Sequence, residues 1–255
     1  MGLNGQCASR CSARRRSFAT SRYLRFENWF GSIDSTPHST DSQQPTYWLS
    51  GHSDSGDPAL RAAEWKRSVR PLLPSDQRWA FRQRLCYRLP IDWMLFGVLG
   101  EGSSYSTGVY IWAVRMPLFV PSDVVDLSWS ERVAPATTYQ PDASDFNPAV
   151  RRALYLSEPP ADQLQPILDR RDPVNMRVVE TRAYALLIHG DVGEAADELD
   201  RVARHRGRTA WEDELVARAT DMLRLIREHG QGPALKRVRH WRDQTLAALG
   251  LQAGD

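Results

Sequence analysis

The sequence predicts an α+β protein: an N-terminal helix and a mainly antiparallel sheet, followed by an all-α segment of stacked helical hairpins. Three observations predict it. Residues 77–130 hold β-branched and aromatic runs with short connections between them, which favours a meander over parallel crossovers. From residue 145 the apolar positions recur at helical spacing, between Asn-Pro or Asp-Pro starts and His-Gly ends. Residues 1–58 keep neither period, and their apolar residues come only in small clusters such as Tyr47-Trp48-Leu49.

Taken in order, residues 1–56 read as a disordered tail, or as an upstream stretch translated from a misassigned start. Residues 1–26 carry six Arg and no acid, a composition shared with transit peptides, and no apolar stretch of a secretory leader follows them. Order is expected from Asp57-Pro58, a capping residue and a first-turn proline. Ala62, Trp65 and Val69 continue that helix, which Pro71 and Pro74 stop. The α+β sheet domain then spans 57–130. Trp79 to Leu89 predicts two short strands split near Gln83-Arg84. Ile91 to Leu99 predicts a central strand covered on both faces. Gly100 to Gly108 predicts a loop, Val109 to Val120 the longest strand, and Val124 to Trp129 the last one.

Residues 131–144, with Pro135 and Pro141, read as a linker, and 145–251 as a helical-hairpin domain. Its helices are expected from Asn147-Pro148 to Leu156, near 161–170 with Pro166 disturbing it, and from Asp172-Pro173 to His189-Gly190. Asp191-x-x-Glu194 and Thr209-x-x-Glu212 read as capping boxes for the next two. Trp211, Leu215, Ala219, Met222 and Ile226 are expected on one inward face. Pro233 is expected to open a final helix with Leu235, Val238, Trp241, Thr245 and Leu249 inward.

Composition narrows the function classes. The net charge of +2 is spread evenly on a coarse count: ten basic and eight acidic residues in 59–143, seventeen and eighteen in 144–255. A nucleic-acid binder concentrates basic surface, so none is expected as a partner. Two Arg-rich runs, Arg201 to Arg208 and Lys236 to Arg242, have acids close by and read as solvated helix faces. Lys66 and Lys236 are the only lysines, as codon bias in a GC-rich genome would produce. The three cysteines, Cys7, Cys11 and Cys86, form neither a disulfide framework nor a zinc ligand set, and fit a reducing cytoplasm. No apolar run reaches the ~18–20 residues of a membrane span. The histidines show no metal-binding spacing, and no cofactor is expected.

Four residues are the candidates for a ligand site. Glu101 and Tyr105 lie in the Gly100–Gly108 loop, which reads either as a solvated hairpin loop or as the edge of a site at the sheet end. It lacks the Lys and following helix of a phosphate-cradling loop. Asp92 and Arg115 interrupt apolar strands, so they either face solvent, form a structural pair, or share a site with shifted pKa values.

The stretch Leu95-Phe-Gly-Val-Leu-Gly-Glu-Gly-Ser103 with Tyr110-Ile-Trp-Ala-Val-Arg-Met-Pro-Leu-Phe-Val-Pro121, and the later Ala185-Leu-Leu-Ile-His-Gly-Asp191, Trp241 and Leu246-Ala-Ala-Leu-Gly250, resemble a family of uncharacterised bacterial proteins. The resemblance covers about residues 59–251 and implies no catalytic residue. Tyr184 to Ala195 with Leu199 resembles the turn of a tetratricopeptide-type hairpin, and His189-Gly190 is echoed by His229-Gly230. The expected function is a soluble, cytoplasmic, non-enzymatic protein-interaction or accessory module, with a protein partner on the helical half and no membrane. The alternative is an enzyme or small-ligand binder with a site where sheet and helices meet.

Overall fold

A computed structural model describes residues 61–102, 108–133, 138–207 and 209–254. The predicted tail, the Asp57-Pro58 start, Cys7, Cys11 and Tyr105 lie outside the described residues. The chain is α+β: a five-stranded antiparallel sheet in the order β1-β2-β3-β4-β5, followed by helices.

The first described helix, α1 (Ala62–Val69), turns its buried Trp65 and Val69 onto the sheet. Arg61 precedes it in extended conformation, and a 3-10 turn at Arg70–Leu72 takes in Pro71 and ends it. The hairpin of β1 (Arg78–Arg82) and β2 (Leu85–Leu89) turns at Gln83, whose φ of 50° lies in the left-handed region. β3 (Met94–Gly102) and β4 (Val109–Pro117) pair over their full length, from Met94 opposite Pro117 to Gly102 opposite Val109. The fifth strand is not at Val124–Trp129. It is β5, Glu131–Arg132, which pairs with Trp112 and Ala113 from within the stretch read as a linker, and a further bridge joins Val109 to Tyr139. Pro117 closes β4, so its missing N–H ends the ladder there.

The two faces of the sheet are covered by different parts of the chain. Cys86, Val98, Val109, Ile111 and Ala113 pack against α1 and against Phe146, Val150 and Ala153 of α2 (Phe146–Leu156). Leu85, Tyr87, Leu95, Leu99, Val114 and Met116 pack against Leu246, Leu249 and Leu251 at the chain's other end. Both faces of β3 are therefore buried, as its apolar run predicts. Two glycines in it are required by close approach. A Cβ at Gly97 would collide with the Cys86 carbonyl, and one at Gly100 would come within 2.7 Å of the Trp65 ring.

The helical half is built around α4 (Met176–His189), preceded by the short α3 (Gln165–Asp169) and followed by α5 (Val192–Ala203), α6 (Ala210–His229) and α7 (Gln231–Leu249). Asn175, not Asp172, caps α4 by accepting from the amides of Arg177 and Val178; Asp172 instead accepts from Val174 and Asn175 in the preceding turn. Gly190 ends α4 at a φ of 105°. Neither predicted capping box forms. Asp191 bonds His189, Glu194 bonds Arg182, and Thr209 donates to the Glu212 carboxylate without reaching a backbone amide. Trp211 also departs from expectation: it is 49% exposed, while Leu215, Ala219, Met222 and Ile226 are buried beside Leu223. On α7 the buried set is Ala234, Val238, Thr245, Leu246 and Leu249, with Leu235 and Trp241 partly covered.

Arg242 joins α7 to the sheet. Its Nε donates to the Asp92 carbonyl at 2.6 Å and its Nη2 to the Ile91 carbonyl at 2.9 Å. Beyond α7, the Ile91 amide bonds the Ala253 carbonyl and the Gln252 amide bonds the Tyr87 hydroxyl.

Candidate functional site

The sequence-nominated residues do not meet. Asp92 is exposed just before β3, and its backbone rather than its carboxylate makes the contact with α7. Glu101 lies at the far end of that strand, on the order of 30 Å away along the chain at a strand rise of about 3.3 Å per residue. There its carboxylate accepts from Trp112 Nε1 at 2.5 Å. Arg115 is on the opposite face, because Trp112 packs with the Leu246–Leu251 side while Arg115 Nη2 donates to the carbonyl of Leu156 at the end of α2. Each of the three described residues has a separate local partner.

Around Arg115, however, an arrangement appears that the sequence reading missed. Trp79 pairs with Arg88 across β1–β2, and Phe96 with Arg115 across β3–β4. The β2–β3 register, with Tyr87 opposite Gly97, sets Arg88 level with Phe96. Trp79, Arg88, Phe96 and Arg115 thus form one row across the sheet face that carries α2. The Arg88 guanidinium stacks 5.4 Å from the Trp79 ring centre. Trp79 Nε1, Arg88 Nε and Arg115 Nε are all buried and have no hydrogen-bond partner. Among the described residues the other such atoms are Trp65 Nε1 and the side-chain oxygens of Gln77 and Gln163. Burial pulls the Arg88 guanidinium below its ordinary pKa, against the opposing charges of Glu158 and Asp76.

A finer charge count would have pointed here. Residues 61–88 hold eight basic groups (Arg61, Lys66, Arg67, Arg70, Arg78, Arg82, Arg84, Arg88) against Glu64 and Asp76 alone. The near-neutral total over 59–143 averages this excess away. Part of it lies on α1, where Lys66, Arg67 and Arg70 border an open depression of about 420 Å³.

The buried charges of the helical half are fully partnered. Glu180 on α4 is 0% exposed and takes both Nε and Nη2 of Arg218 from α6 at 3.0 Å. The Tyr184 hydroxyl donates to the same carboxylate at 3.0 Å, and its ring packs 5.3 Å from Trp241 of α7. Burial alone would lower the Arg218 pKa, but the hydrogen bonds and charge of Glu180 lift it above its ordinary value. Burial, helped by the Glu180 charge, pushes the Tyr184 hydroxyl well up. On another side of α4, Arg182 reaches the Leu168 carbonyl and both Glu194 and Glu198 of α5. These residues close the core between helices.

The surface arginines of α5 and α6 are paired too: Arg201 with Glu198, Arg204 with Asp200, Arg224 with Asp221 and Arg227 with Asp200. α7 differs. Lys236, Arg237, Arg239 and His240 are exposed, and among the described residues none of them forms an ion pair or hydrogen bond. No acid occurs in α7 before Asp243. Beside them, Arg237 and Trp241 line a depression of about 150 Å³ against Asp221, Arg224, Leu225 and Glu228 of α6.

Among the described residues no group of His, Cys, Asp and Glu could hold a metal ion, and no helix is long and apolar enough to cross a membrane. Comparison with protein-family models, curated proteins and solved structures returns no match to the chain.

Proposed function

We propose that this protein is a non-enzymatic interaction module whose helical half holds an acidic segment of a protein partner along α7. One observation carries the reading: Lys236, Arg237, Arg239 and His240 stand exposed with no ion pair among the described residues, on the helix that packs against α6, whose arginines are all paired. Residues 236, 239 and 240 share one stripe, being three and four apart. Lys236 and Arg239, three apart, repel one another, and a partner's Asp and Glu side chains relieve that cost. The adjoining depression, where Arg224, His229 and Arg237 stand beside Asp221 and Glu228 at the edge of Trp241, offers mainly polar contacts to such a segment. The alternative enzyme reading draws no support from Asp92, Glu101 and Arg115, which lie apart.

The test is affinity capture with the full chain at physiological salt, run in parallel with a Lys236→Glu/Arg239→Glu variant. The reading expects a stoichiometric acidic partner retained by the native chain, released at high salt, and lost from the variant. The same proteins recovered in equal amount with both would contradict it.

A further inference from the structure

We propose that Arg88 and Arg115 form a binding site for a small oxyanion, a phosphate or carboxylate group, on the sheet face beneath the end of α2. This site is separate from the α7 surface and stands or falls independently of it.

The row Trp79–Arg88–Phe96–Arg115 presents three buried N–H donors and no acceptor to match them. A buried donor without an acceptor is costly, and more so when it belongs to a cation. The backbone carbonyls at the end of α2 do not supply the missing acceptors. At the end of α2, the Leu156 carbonyl is taken by Arg115 Nη2 and the Leu154 carbonyl by the Ser157 hydroxyl. The Ala153 and Tyr155 carbonyls are taken by the amides of Ser157 and Glu158. The negative end of the α2 dipole opposes an anion here, but Arg115 itself caps it. Glu158 and Asp76 act on Arg88 only through their charge, and both are exposed.

An oxyanion is the ligand class that fits this inventory. It accepts hydrogen bonds only, and its oxygen spacing matches the paired N–H groups along a guanidinium edge. The two arginines lie two strands apart, about 10 Å between Cα atoms, close enough for both side chains to reach one group. Both are half-buried, so solvent reaches one side of the pair. Phe96 between them is buried, which keeps the floor dry and restricts the ligand to something small.

The experiment is titration calorimetry of the full chain with inorganic phosphate and, separately, with malonate, at constant ionic strength set by sodium chloride. Saturable one-site binding of either probe is expected, and the probe that binds tighter names the group. Arg88→Lys keeps the charge but removes the fork, and should weaken binding about tenfold or more. Arg115→Gln should do the same, with near-ultraviolet circular dichroism reporting whether the end of α2 stays in place. Glu158→Gln removes a competing acid and should strengthen binding. Failure of both probes to bind, or binding indifferent to Arg88→Lys and Glu158→Gln, would overturn the proposal.

Discussion

Helices α6 and α7 are neighbours of nearly equal length, 20 and 19 residues, yet they use their basic residues in opposite ways. On α6, Arg218 enters the core to neutralise Glu180, and Arg224 and Arg227 close surface pairs with Asp221 and Asp200. On α7, Arg242 holds backbone carbonyls of the sheet, while Lys236, Arg237, Arg239 and His240 form no ion pair among the described residues. The basic residues of α6 thus close pairs within the fold, and the exposed ones of α7 form none among the described residues. Residues that the fold does not use are where a partner can be read.

The sharpest way to break this contrast is to truncate Arg218. Arg218→Ala leaves the fully buried Glu180 carboxylate without its cation and should cost about 3–5 kcal/mol in urea unfolding. A paired Glu180→Leu/Arg218→Met replacement should recover most of that loss, because the charges leave together. A loss under 1 kcal/mol for Arg218→Ala would show that water reaches Glu180.

Next in size is the sheet. Gly97→Ala forces the β2–β3 backbones apart at Cys86 and should cost roughly 1–3 kcal/mol, read as a lowered urea midpoint with unchanged slope. At the same place burial pushes the Cys86 thiol up from 9.0 to about 12. The unfolded chain therefore releases this proton first. The Cys86 contribution to stability is constant below pH 9 and falls as pH rises from 9 towards 12. Removing the thiol with Cys86→Ala should flatten that alkaline decline, which pH-dependent unfolding measures.

The smallest effects separate the two helix surfaces. Arg227→Ala should cost about 0.2–1 kcal/mol, the ordinary value of an exposed pair. Lys236→Gln/Arg239→Gln should be neutral or stabilising by a few tenths of a kcal/mol, since it removes like-charge repulsion without breaking a pair. Thermal unfolding of the two variants side by side decides it; a clear loss in the α7 variant would mean that its charges serve the fold.

Much of the fold was legible because each signal was local. The Gln83 turn, the doubly buried β3 and the ends of α4 and α6 follow from turn chemistry, apolar runs and glycine positions. The last strand was not. Val124 to Trp129 has strand composition but no partner strand, whereas the charged pair Glu131–Arg132 lies beside the open edge of β4. Pairing is a property of the neighbour, and composition does not carry it. The capping boxes failed for a similar reason: Glu194 had a buried arginine to serve, and Arg182 outcompetes a backbone amide. At the candidate sites, Arg115 was picked out as a charge in an apolar strand, but Arg88 became visible only through strand register. The α7 run was noticed as basic. That its members are unpaired depends on where carboxylates of other helices fall, and spacing along the chain does not give that.

The central claim is that α7, and not the paired α5–α6 surface, meets the partner. A photo-crosslinking amino acid placed at position 240 of α7, and in a second chain at position 204 just after α5, distinguishes them in the source cell. A discrete, salt-sensitive crosslinked protein is expected from position 240 and none from position 204. Equal crosslinking from both positions, or from 204 alone, would contradict it.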